Sequence, residues 1–117
     1  MSDSRLRAFS FTLTPPEGVE KRDHLQRIGQ LLLDLADGCK GFRMLVATPR
    51  FLSYLELATT EFKPEGRIGD PGRIGTWRGY PVYTDTTLDE MECYLAAKRG
   101  APLGRGLLID DEYGRTP

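Results

Sequence analysis

Few side chains in these 117 residues could do chemistry, because there is one histidine and there are two cysteines. A lone histidine removes most triads, general acid-base pairs and histidine-based zinc sites. His24 follows Lys21-Arg22-Asp23 near an expected helix start, where it reads as a solvated helix residue. Cys39 and Cys93 lie in different expected elements, with no Cys-x-x-Cys spacing and no base placed to activate either. They read as reduced, core-filling residues. The carboxylates of Asp110-Asp111-Glu112 are the right ligands for a hard cation, but consecutive residues seldom converge on one ion, so they read as a solvated tail.

The remaining chemical motif is a local repeat, Gly66-Arg67-Ile68-Gly69-Asp70-Pro71 followed by Gly72-Arg73-Ile74-Gly75-Thr76-Trp77. Glycine-loop amides with two arginines could hold phosphate. No Gly-Lys-Ser/Thr follows, so it is not a Walker loop. It neither follows a clear strand nor opens a helix, as a dinucleotide fingerprint must. A Gly-x-x-Gly clamp for single-stranded RNA needs flanking helices, which Pro71, Trp77 and Pro81 oppose. Arg67, Arg73 and Arg78 with Trp77 and Tyr80 still make a basic loop with aromatics, which keeps a nucleic-acid-binding module as the alternative reading. The plainer reading is that the arginines are solvated and Trp77 packs under the loop. No catalytic residue, metal ligand or cofactor-binding residue is expected, and the chain is not expected to be an enzyme.

Length and composition bound the rest. The chain is of single-domain size, with 39% hydrophobic and 28% charged residues, a globular composition. The net charge of −1 gives no whole-molecule attraction to nucleic acid or to an anionic membrane. No apolar stretch reaches the length of a membrane span and the first residues lack a signal-peptide pattern, so a protein made and kept in the cytoplasm is expected.

Ala8 to Leu13 alternates Phe9, Phe11 and Leu13 with Ser10 and Thr12, the period of a half-buried strand, which Pro15 and Pro16 end. From Val19 to Asp37 the spacing of Leu25, Ile28, Leu32 and Leu35 predicts an amphipathic helix, with Gly38 as its left-handed terminator. Phe42 to Ala47 reads as a strand covered on both faces. Thr48 is the expected N-cap and Pro49 the first residue of a short helix over Arg50 to Ala58. Residues 59–79 carry neither period and read as a long glycine-rich loop or hairpin. Gly79 to Thr84, Glu92 to Ala97 and Gly106 to Asp110 supply three more strands, and residues 1–7 and 111–117 read as flexible tails.

Taken in order, several of these pieces resemble the later part of the major capsid protein of tailed phages, in its T-even-like branch. Leu25 to Gln30 with Gly41 to Pro49 is similar to the stretch where a helix leads through a glycine turn to a buried strand and a Ser/Thr-Pro step. Phe51 to Leu55 is similar to its following short helix. Gly75 to Asp85 resembles the family's Gly-x-x-x-x-Gly-x-x-Val-Tyr-x-Asp segment, and Tyr94 to Leu108 its strand, Lys-Gly turn and return, although Arg99 here separates Lys98 from Gly100. The resemblance covers residues 25–110 and leaves out the family's spine helix, extended loop and N-terminal arm.

The resemblance implies an α/β (α+β) unit like the capsid axial domain, a mixed or antiparallel sheet flanked by two helices. It implies a non-enzymatic virion structural or capsid-assembly protein, made in the host cytoplasm and carried in the virion. Its partners are then copies of itself or a full-length capsid subunit. The expected subunit contacts are Arg67, Ile68, Arg73, Ile74, Trp77 and Arg78.

Overall fold

Apolar spacing and turn chemistry resolve into two helices and seven strands in the computed structural model, which describes residues 7–64, 72–89, 91–98 and 100–110. The order is β1 (Arg7–Thr12), α1 (Lys21–Gly38), β2 (Met44–Ala47), α2 (Pro49–Ala58), β3 (Phe62–Pro64), β4 (Arg73–Trp77), β5 (Tyr80–Thr84), β6 (Glu92–Ala96) and β7 (Pro102–Ile109). The strands form one mixed sheet in the order β1-β7-β6-β2-β5-β4-β3. The chain is thus a compact single domain of α+β type.

β2 lies at the centre, parallel to β5 and antiparallel to β6, with Leu45 between Val82 and Leu95 and Val46 between Tyr83 and Tyr94. Alternation sends Leu45, Ala47, Val82, Cys93 and Leu95 toward the helices. The opposite face holds a smaller cluster of Val46, Tyr94 and Ala96 with Met44, Tyr83 and Leu88. Both helices cover the same side: Leu25, Ile28, Leu32 and Leu35 of α1 and Phe51, Leu52 and Leu55 of α2 join one core. Ile28, Leu32, Phe51 and Leu55 are fully buried, each stabilising the fold by about 1.5–3 kcal/mol through burial alone.

The short helix begins as its residues dictate. The Thr48 hydroxyl oxygen accepts a 3.4 Å hydrogen bond from the Phe51 amide, and Pro49 occupies the first turn, where its missing N–H costs nothing. α1 differs from expectation at its end. Gly38 remains helical, Cys39 caps with φ −104°, and the left-handed residue is Gly41 at φ +89°. Arg7 is not part of a free tail either, since it opens β1 opposite Gly104 of β7. β7 begins at Pro102 rather than Gly106, and a Cβ on Gly106 would lie 2.6 Å from the Phe9 ring, so glycine here lets β1 seat that ring on the sheet.

The 59–79 segment is in part a hairpin. β3 pairs antiparallel with β4, Phe62 opposite Trp77, and β4 pairs with β5 through a register shift between Arg73 and Gly75. Gly66 to Pro71, the first copy of the repeat, lies outside the described residues, as do residues 1–6 and 111–117.

Candidate functional site

The expected contact residues do not form one loop. Arg67 and Ile68 lie outside the described residues. Arg73 and Ile74 begin β4 and Trp77 ends it, so the length of a five-residue strand, about 13 Å, separates the two groups. Ile74 packs half-buried on the helix-side core, and Trp77 is fully buried within it. Strand alternation and the register shift turn these apolar side chains inward, which removes Trp77 from any surface role. Of the described residues in the set, Arg78 is the one that is exposed.

Arg78 and Gly79 form the two-residue turn between β4 and β5, with φ values of +53° and +84°. Positive φ at both central positions suits the twist of a tight hairpin and favours Asn or Gly, so an arginine here is unusual. Its guanidinium lies 5.7 Å from the Trp77 ring centroid, and its Nε is 4.0 Å from a Glu61 carboxylate oxygen. Such exposed contacts hold an arginine at about 0–1 kcal/mol each.

Beside this turn stand Phe42, expected only as the start of a strand, and Tyr80, expected among the aromatics of the basic loop. Phe42 and Tyr80 meet at 4.3 Å between ring centroids, and Phe42 lies 6.4 Å from Trp77. The parallel pairing of β2 and β5 causes this, because both strands start at the same end of the sheet. Lys40 and Arg43, both exposed, flank Phe42, and a groove of about 540 Å³ runs past Asp37, Lys40, Phe42, Arg43 and Tyr80. The Arg43 amide donates to Ala96 O at 2.8 Å, which brings the β6–β7 turn with Lys98 to the same end. The local signals for this corner are the run Lys40-Gly41-Phe42-Arg43 and, separately, Tyr80 close after Arg78. Their junction depends on strand order.

The groups considered for catalysis have structural surroundings. His24 Nε2 donates to Thr12 O at 2.6 Å, and its ring stacks on Phe11 at 4.4 Å. Cys39 and Cys93 are both buried and unpaired by disulfide. Burial pushes both thiols up, against a smaller opposing effect of Arg7 at Cys39 and of a backbone hydrogen bond from Gly106 at Cys93. Among the described residues, no three His, Cys, Asp or Glu side chains group as a metal site. No described helix is long and apolar enough to cross a membrane.

Comparison with protein-family models, curated proteins and solved structures finds no match to this chain.

Proposed function

We propose that this chain is a non-enzymatic virion structural or capsid-assembly protein that works through subunit contacts made at the end of the sheet carrying Phe42, Arg78 and Tyr80. The observation that carries the reading is the clustering there of Lys40, Arg43 and Arg78 around a partly exposed aromatic pair, while among the described residues His24 is engaged in the fold and Cys39 and Cys93 are buried. The resemblance of residues 25–110 to the axial region of tailed-phage capsid proteins supports it, since loops at one end of that domain meet those of neighbouring subunits. Partners are then copies of this chain or a full-length capsid subunit, and the working location is the virion.

Co-sedimentation with the full-length capsid protein of the same source tests the reading. Assemblies containing both chains, or large assemblies of this chain alone, are expected. A chain that stays at its 13.1 kDa monomer mass in both cases overturns it.

The same corner favours one second reading, a small module for single-stranded nucleic acid, because Phe42 and Tyr80 offer rings for stacking beside three cations. That reading requires affinity for an oligonucleotide that falls steeply with salt, and binding indifferent to salt counts against it.

A further inference from the structure

The strand directions sort the charged residues between the two ends of the sheet. β2, β5, β7 and β1 start at one end, and β4 and β6 finish there. That end carries Arg7, Lys40, Arg43, Arg78 and Lys98 against Asp37, Glu56 and Glu61. The opposite end carries Glu17, Glu20, Asp23, Asp85, Asp89 and Asp110 against Lys21, Arg22, Arg50 and Arg73. Among the described residues, the two ends therefore differ in sign, one net basic and the other net acidic. Helix dipoles account for part of this, favouring acids near the start of α1 and bases just past its end. They do not account for Arg7, Arg78 and Lys98, which lie at strand starts and turns.

Exposed apolar side chains follow the same division. Tyr80 at 38% and Leu57 at 70% exposure stand at the basic end, while Val19 at 41% and Ile109 at 39% stand at the acidic end. Each end thus couples apolar surface to net charge, and the two ends are complementary in sign. Seven strands at about 4.8 Å spacing, with one helix layer, give an end face of about 600 Å² per partner. That sits at the low edge of stable interfaces and predicts weak association sensitive to salt.

Resting on the assembly reading, we infer that the partner is a second copy of this chain, joined head to tail with the basic end of one copy against the acidic end of the next. Such a contact uses two different surfaces, so it continues into rings or filaments instead of stopping at a dimer.

Light scattering across a concentration series tests this with two double variants, Lys40→Glu with Arg43→Glu and Glu17→Lys with Asp89→Lys. All four residues are exposed, and unchanged thermal melting checks the fold. Wild-type protein is expected to exceed twice the monomer mass at low salt and to fall to monomer at about 1 M salt, where the screening length is about 3 Å. Each variant alone is expected to remain monomeric, and an equimolar mixture to regain the wild-type mass, because the reversed ends are again complementary. Assemblies unaffected by either pair would sink the head-to-tail contact while leaving the assembly reading standing. A mass that stops at dimer would also overturn it, in favour of a two-fold contact. So would a monomer that associates only on addition of a single-stranded oligonucleotide.

Discussion

Replacing Trp77 by phenylalanine separates a core tryptophan from a contact tryptophan, because the structure gives two opposing consequences of similar size. Trp77 is the chain's single tryptophan, fully buried where β4 meets β3 and β5, with Phe42 beside it. The smaller ring leaves a void on the order of 40 Å³, costing about 1 kcal/mol, with about 1 kcal/mol more in lost transfer energy. Against this, the buried Nε1–H has no hydrogen-bond partner among the described residues, and leaving such a donor dry costs about 1–3 kcal/mol that phenylalanine does not incur. Trp77→Phe is therefore expected within about 1 kcal/mol of the wild type in either direction, a shift of roughly 4 °C or less in melting temperature. Trp77→Ala, with no ring to offset the void, is expected to lose about 3–5 kcal/mol, a large share of a domain's stability. Urea denaturation followed by far-ultraviolet circular dichroism is the suitable assay, since both variants lack the fluorophore. A loss above about 3 kcal/mol for Trp77→Phe would show that Nε1 has an acceptor. A loss below about 1 kcal/mol for Trp77→Ala would place the ring at the surface and return it to the contact set.

Three other perturbations follow from local geometry. Thr48→Ala removes the acceptor for the Phe51 amide and is expected to cost about 1 kcal/mol, read as a lower denaturant midpoint, with Thr48→Ser largely retaining it. Arg105→Ala strips the cation from the carboxylate of Glu92, which is 6% exposed. It is expected to cost about 2 kcal/mol, discounted because the arginine is half-exposed, and Glu92→Gln added to it should recover part of the loss. The folded thiols of Cys39 and Cys93 are raised above the ordinary value of 9.0, so above that pH the unfolded chain loses protons that the folded chain keeps. Stability is then expected to be flat near neutrality and to fall as pH rises beyond 9, less steeply in Cys93→Ala. Unchanged slopes in that variant would contradict the burial argument.

The parts of the fold readable in sequence were those specified locally. The spacing of Leu25, Ile28, Leu32 and Leu35 fixes α1, the continuous run to Ala47 fixes β2 as a central strand, and Thr48-Pro49 fixes where α2 begins. β3 escaped because three residues cannot display a period, and β4 because its register shift and Gly75 break the alternation. Gly38 misled because glycine at a helix end is usually left-handed, whereas here that conformation falls three residues later at Gly41. The contact set expected from the repeat puts its arginines and Trp77 on one loop. Strand pairing instead buries Trp77 and separates Arg73 from Arg78. The corner of Lys40, Phe42, Arg43 and Tyr80 was illegible for a different reason: it depends on β2 and β5 being parallel neighbours, and no local pattern in either strand states its partner.

The most direct test of the assembly account is sedimentation velocity of the purified wild-type protein at low salt, alone and with full-length capsid subunit from the same source. The account predicts species well above 13.1 kDa that dissociate as salt rises, or transfer of this chain into the capsid subunit's boundary. One slow boundary at monomer mass under both conditions would contradict it.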